Sequence, residues 1–248
     1  MKDLLRRLYE KVYGLICGTG TKLNIFHFQY LAVYRLHRLL KQTLSSREGD
    51  IIDVGCGEKP YKPWFKKFKS YIGVDIVKNK NVDVLVQEGY KIPLDDKFDV
   101  AICAQVLEHV QDLRIVDEIH GLLKNDGELI LTVPFLYQIH DIYDFRRFTQ
   151  KGIVDFLETR GFKVIHVKTI GGIGSTLGLL FLAWCECRLS KISRIISGCL
   201  LPLKLIMAFL INVLGLFFDS LDNTNKFYNG ILIICKKISF SKRPAKIY

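Results

Sequence analysis

From residue 50 onward, short apolar runs alternate with segments of helical spacing, and few folds accommodate that rhythm. The runs Asp50–Val54, Tyr71–Asp75, Val82–Val86, Phe98–Cys103, Gly127–Val133 and Phe162–Thr169 read as strands. Pro63–Phe68, Leu113–Leu123 and Thr149–Arg160 lie between them and read as helices. Strands joined through helices build a parallel sheet with right-handed crossovers, an open α/β sandwich. A last run, Tyr228–Lys237, reads as a buried strand that returns to close the same sheet. Such sheets bind ligands at the carboxyl ends of their strands, so the chemistry is sought there.

Two stretches do not share the rhythm. Lys2–Ile16 and Asn24–Leu44 carry apolar residues at helical spacing with basic residues among them, and the polar Ser45–Gly49 ends that region. Thr169–Cys185 and Leu205–Phe218 contain no charge, and Arg188, Lys191 and Arg194 lie between them at a spacing of three. The expected organisation is therefore four parts. Residues 1–48 form basic amphipathic helices and 49–170 the α/β core. Residues 171–225 form an apolar helical insertion, and 226–248 the closing strand with a basic tail. The net charge of +11 divides as +6 over 1–48, −2 over 49–168 and +7 over 169–248. Basic, apolar flanks around a near-neutral middle point to an anionic membrane surface. A nucleic-acid enzyme would instead spread Lys and Arg over its catalytic face, so no nucleic-acid partner is expected.

Both ends of the insertion belong to one sheet, which excludes a single membrane span. Each of its apolar runs also falls short of the ~20 residues that spanning needs, so an interfacial or re-entrant hairpin is expected. A helical subdomain packed on the sheet, or a homodimer interface, is the alternative. The seven cysteines are odd in number and contain no C-x-x-C, which suggests neither a disulfide framework nor a zinc site. No metal is assigned. Lys2, Asp3, Arg6 and Arg7 interrupt any early apolar run, so no secretory signal is expected and the location reads as cytoplasmic, at the inner membrane face.

The first strand ends in Asp53-Val54-Gly55-Cys56-Gly57-Glu58-Lys59-Pro60. Glycines at a strand-to-helix turn let the backbone approach a ligand. A nicotinamide fingerprint would need glycine where Pro60 stands, which argues against a dehydrogenase. The second strand ends in Gly73-Val74-Asp75, eighteen residues past Gly57, at a distance suited to a carboxylate on a ribose diol. Together with Phe98–Val110, these residues resemble the class I S-adenosylmethionine-dependent methyltransferases. The resemblance covers about residues 49–170 plus the last strand. It implies a Rossmann-like methyltransferase sandwich with a mostly parallel seven-stranded sheet. It places S-adenosylmethionine against Asp53, Gly55, Cys56 and Gly57, and the ribose on Asp75 beside Ile76. The adenine contact falls on Glu88-Gly89, and Gln105 and Val106 line the pocket. Lys59 replaces the third small residue of the family's glycine loop.

Pro134–Thr149 resembles a branch of bacterial methyltransferases associated with surface-polysaccharide and envelope assembly, in its Pro-Phe, then His, then Asp-Phe-x-Arg-Phe-Thr. The loop packs one His, two Asp, two Tyr and two Arg beside the expected methyl donor. His140 is the candidate base for a hydroxyl acceptor, with Asp144 or Asp141 orienting it; a plain surface histidine is the alternative. Glu108-His109 is the second candidate, read as mainly structural. Thr149 is expected to cap the following helix, and Arg146 and Arg147 either pair with Asp141 or Asp144 or bind an anionic substrate. No Asn/Asp-Pro-Pro-Tyr/Phe motif follows the fourth strand, where Cys103-Ala104-Gln105-Val106 stands, and no Pro-Cys pair appears. Neither nucleic-acid amino-methylation nor cytosine-C5 chemistry is expected. The reading reached is methylation of a hydroxyl on a glycan, glycolipid or polyprenyl-linked intermediate at a membrane. A soluble small-molecule methyltransferase and a catalytically silent scaffold are the rivals.

Overall fold

The structure, a computed structural model, describes residues 2–87, 89, 91–189 and 198–238. The chain divides into two units. One comprises 39–135, 139–168 and 231–248, the other 1–38, 136–138 and 169–230.

The first unit is the α/β sandwich. Its strands are β1 (Asp50–Val54), β2 (Ser70–Asp75), β3 (Val84–Leu85), β4 (Phe98–Ala104), β5 (Leu123–Pro134), β6 (Phe162–Ile170) and β7 (Gly230–Lys237). They form one seven-stranded sheet in the order β3-β2-β1-β4-β5-β7-β6. The pairs β1–β2, β1–β4, β2–β3 and β4–β5 are parallel. Consecutive residues Ile51 and Ile52 are both fully buried, as are Leu129, Ile130 and Leu131, so both sheet faces are covered. This is the open α/β sandwich expected from the alternation of runs, with the seven-stranded sheet of the Rossmann-like methyltransferase fold that the resemblance implies.

Two local expectations change. The helix expected over 63–68 is only a 3₁₀ turn at Lys62–Trp64. Phe65 leaves it in an extended conformation and buries its ring 5.9 Å from that of Tyr71. Strand β5 starts at Leu123 rather than Gly127. Phe98 pairs with Leu123 and Val100 with Glu128, so an irregularity absorbs the Asn125-Asp126-Gly127 turn, where Asp126 is left-handed. Helices α3 (Ile115–Leu122) and α4 (Gln150–Thr159) flank the sheet, and the Thr149 hydroxyl accepts from Gly152 N–H at 3.1 Å as the expected cap.

The second unit is helical, with α1 (Lys2–Cys17), the first part of α2 (Tyr30–Leu44), α5 (Ile173–Leu189) and α6 (Leu201–Leu221). Lys191 and Arg194, read as part of a basic stripe, lie outside the described residues. The Asp219 carboxylate, 1% exposed, accepts from Ser175 N–H at 2.8 Å and from the Ser175 hydroxyl at 2.6 Å. Arg35 pairs with the same carboxylate at 2.8 Å. Asp222 accepts from Ile173 N–H at 2.7 Å, so two carboxylates satisfy donors in the first turn of α5.

Helix α6 turns Lys204, Asn212 and Asp219 inward. Lys204 (6% exposed) reaches Glu186 at 3.1 Å and the Tyr9 hydroxyl at 3.2 Å. Buried Asn212 donates to the carbonyls of Ile25 and His27 at 2.6 and 3.0 Å. The opposite side exposes Leu203, Ile206, Leu210, Leu214 and Phe217, the last at 57%. Expected to fall short of a span, α6 is instead 21 residues, long and apolar enough to cross a membrane by length and composition. Pro202 sits at the helix start, where it is tolerated, and Lys204 is neutralised internally, so neither ends the helix.

Helices α5 and α6 lie close together at Gly174, where an added Cβ would lie 2.3 Å from the Gly215 carbonyl oxygen. Glycine to alanine in a helix ordinarily gains ~0.5–1 kcal/mol, whereas overpacking costs ~1–3 kcal/mol. Gly174→Ala should therefore lower the melting temperature, while Gly121→Ala on α3, where the new methyl meets open space, should raise it. Thermal unfolding followed by circular dichroism distinguishes the two signs.

Candidate active site

The turn after β1 is shaped by what sits above it. Gly55 is left-handed (φ 72°), and a Cβ there would lie 2.4 Å from Val106 Cγ2. Gly57 is also left-handed, and a Cβ there would meet nothing within 4 Å. Its N–H donates to Asp75 Oδ2 at 2.8 Å, and Val77 N–H donates to Asp75 Oδ1 at 2.9 Å. Asp75 is thus fixed at the end of β2 by two backbone donors. Above it opens a cavity of about 500 Å³ at the carboxyl ends of β1, β2 and β4.

Of the residues expected at a cofactor, Gly55, Asp75, Ile76, Gly89, Gln105 and Val106 line this cavity. Asp53, Cys56 and Gly57 do not. Asp53 is 1% exposed; its Oδ2 accepts from the Tyr71 hydroxyl at 2.6 Å, and its Oδ1 has no hydrogen-bond partner among the described residues. Burial pushes its carboxyl up to about 6. The Cys56 thiol is buried in the turn and pushed up to about 12, chiefly by that burial. Glu88 lies outside the described residues.

Gln105 ends β4 in a left-handed conformation (φ 57°), unusual for a residue with a side chain. Its N–H donates to the Thr132 carbonyl at 3.0 Å and its side-chain amide to the Thr132 hydroxyl at 3.2 Å, which hold it there. Asp112, Arg114 and Glu118 also line the cavity, and no sequence reading singled them out. The only signal they offer is their position after the fourth strand.

The loop after β5 converges on the same place. The Asp144 side chain is fully buried and lies 3.0 Å from His140 Nδ1. Arg147 grips both Asp144 oxygens, with Nη2 donating to Oδ2 at 2.7 Å and Nη1 to Oδ1. That guanidinium is the main cause that pulls the carboxyl down to about 2. His140 Nε2 faces His109 Nε2 at 3.1 Å, and His109 itself lines the cavity. Glu108 is 1% exposed, its Oε1 lies 4.0 Å from His109 Nε2, and burial raises its carboxyl to about 7. All four candidate catalytic residues therefore meet. Arg146 pairs with no aspartate among the described residues. Its Nη1 donates to the carbonyls of Leu107 and Val110, and its Nη2 to that of Gln111 at 3.0 Å.

The family model described as "Methyltransferase domain" matches residues 26–167, more than half of the chain. The chain belongs to the methyltransferase-domain family. An uncharacterised protein of Methanocaldococcus jannaschii is 30% identical over 142 residues, 53% of this chain. The chain spans 63% of the length of that relative. Among solved structures, a candidate sarcosine dimethylglycine methyltransferase from Galdieria sulphuraria superposes with a TM-score of 0.53 at 14% identity, covering 94% of this chain and 98% of that one. An S-adenosylmethionine dependent methyltransferase from Mesorhizobium loti gives 0.50 at 15% identity, covering 81% and 97%. At such identities the likeness is one of fold.

Asp53 yields a pH prediction. Its folded value of about 6 lies above the ordinary 3.8, so between those values the folded state holds more proton than the unfolded one. The stability this group allows is highest below pH ~4, falls as pH rises to ~6, and stays low above. Asp53→Asn removes the charge and keeps an oxygen for the Tyr71 hydroxyl. It should melt several degrees higher than the parent at pH 8, with the difference gone at pH 4. Equal melting temperatures at pH 8 would overturn this.

Proposed function

We propose that the protein transfers a methyl group from S-adenosylmethionine to a hydroxyl of a glycan, glycolipid or polyprenyl-linked acceptor at a membrane surface. The observation that carries the chemistry is the Asp144–His140 pair at 3.0 Å, next to a cavity whose far wall holds Asp75. The cavity residues fit the cofactor. Asp75 offers a carboxylate to a ribose diol, Gly89 leaves space where a Cβ would point, and Gln105 and Val106 supply a wall. S-adenosylmethionine, when bound, supplies an electrophilic methyl on a sulfonium and needs little further activation. The protein's remaining work is to align the acceptor oxygen, exclude water and take the hydroxyl proton.

His140 is placed for that proton. With Nδ1–H directed at Asp144, its Nε2 presents a lone pair on the side of His109. Arg147 keeps Asp144 ionised, so the carboxylate fixes the tautomer and stabilises the imidazolium that forms. Two substitutions separate binding from chemistry. Asp75→Ala should weaken S-adenosylmethionine binding at least ~10-fold by calorimetry. His140→Ala should leave that affinity near the parent value and lower turnover ~100-fold. Unchanged cofactor affinity in folded Asp75→Ala would overturn the assignment.

The helical unit supports the membrane part. Helix α6 is about 31 Å long at 1.5 Å per residue, close to a hydrocarbon core, and its outer side is Leu, Ile, Val and Phe. Leu177, Phe181 and Trp184 add exposed apolar area on α5. The segment leaves one sheet from β6 and returns through β7, its sheet neighbour, which excludes a single span, and the arrangement proposed is in-plane or re-entrant. The location proposed is the cytoplasmic face of a membrane, with no nucleic-acid partner. Apolar burial is not screened by salt, whereas attraction of Lys and Arg to anionic lipid is. The protein should sediment with membranes, stay there in about 1 M salt, and be extracted by mild detergent. Deleting residues 176–216 should release it or leave a salt-sensitive attachment. Purification without detergent as a soluble homodimer through this segment would favour the small-molecule reading instead.

A further inference from the structure

We propose that Glu108, His109 and His140 form a binding site for one divalent transition-metal ion, with zinc as the reference ion. One ligand atom from each residue lies within 4.8 Å of the other two. The two Nε2 atoms point at one another at 3.1 Å. With metal–ligand bonds of ~2.1 Å they would subtend an angle of about 95° at a shared ion. The 4.0 Å from Glu108 Oε1 to His109 Nε2 is also under twice that bond length, so an ion between them reaches both.

Glu108 supplies the independent observation. It is 1% exposed, yet neither carboxylate oxygen has a hydrogen-bond partner on any other described residue. A buried carboxylate left in this way is costly unless a cation completes it. The surroundings also match. Ligating histidines usually direct their second ring nitrogen at a carboxylate, and His140 Nδ1 lies 3.0 Å from buried Asp144. Two carboxylates against Arg147 leave one net negative charge at the cluster. Two imidazoles and one carboxylate suit zinc and its neighbours better than magnesium or calcium, which take oxygen ligands. His109 lines the cavity, which puts the cluster at its edge.

The role of the ion rests on the hydroxyl-methylation reading; its binding does not. An ion here takes up the Nε2 lone pairs, so that with the ion bound His140 is a ligand and no longer the base; the ion accepts the acceptor oxygen as a further ligand and lowers the hydroxyl's pKa. The proton then leaves to solvent water, the oxygen forms its bond to the methyl carbon, and the carbon–sulfur bond breaks with its electron pair staying on sulfur.

Calorimetric titration of zinc chloride into the full-length protein, stripped with chelator and exchanged into chelator-free buffer, tests the site. The expected result is one zinc per chain. Glu108→Gln and His140→Asn should each weaken it at least ~100-fold, and Asp144→Asn ~10-fold or more through His140. His166→Ala, at an exposed position on β6, should change nothing. Circular dichroism checks that the variants fold, and Glu108→Gln keeps the shape of the side chain. Absence of binding, or equal affinity in folded Glu108→Gln and His140→Asn, overturns the proposal. Titration of S-adenosylmethionine and a methyl-transfer assay on the same stripped protein keep the two readings apart. Full activity in chelator removes the ion and leaves the methyltransferase. Zinc bound as expected with no affinity for S-adenosylmethionine does the reverse.

Discussion

Arg146 spends its guanidinium on the backbone. Three carbonyls, of Leu107, Val110 and Gln111, accept from it, and Phe145 N–H donates to the Glu108 carbonyl at 2.8 Å. These bonds tie the loop after β5 to the turn after β4, two segments more than thirty residues apart in sequence. Without that tie, His140 and His109 would have no reason to share a space, and Asp144 would have no fixed imidazole to orient. Arg147 adds the electrostatic half by holding Asp144 ionised. The adjacent arginines thus divide the labour: one sets position, the other sets charge.

That division explains what could be read from sequence. The sheet was legible because short continuous apolar runs and intervening helical segments carry their own signature. The places where it failed are local, at Pro63–Phe68 and Asn125–Gly127, where burial of one ring or one irregular pairing outweighed propensity. Asp75, Gln105 and Val106 were legible from the family pattern, and they do line the cavity. Asp53 belongs to the same pattern but is buried away from the cavity, because a family pattern names a position and not how deep its side chain sits. The meeting of His109 with His140 was not legible. No spacing rule connects two loops whose contact is made by an arginine binding carbonyls.

Helix α6 shows a different limit. The length of its charge-free run says only that the helix is apolar, and understates how long it is. The phase of the few polar residues is what matters. Lys204, Asn212 and Asp219 fall on one stripe, and that stripe is the buried one. A helix of an ordinary soluble domain has its stripe the other way round. Here the hydrogen bonds of Asn212 and the ion pairs of Lys204 and Asp219 hold the helical unit together from within. Hydrophobic contact on the outer side is left for something else.

Strand β7 fills the gap between β5 and β6, yet it is made last. A ribosome must add about sixty residues after β6 before that strand exists, which at typical elongation rates takes roughly 3–12 seconds. Through that interval β5 and β6 each present an unpaired edge, the state most prone to wrong pairing. The apolar helices emerge in the same interval, ahead of the strand that completes the sheet. The order of synthesis therefore gives the apolar helices time to find their surroundings first, and makes the arrival of β7 the step that closes the sheet.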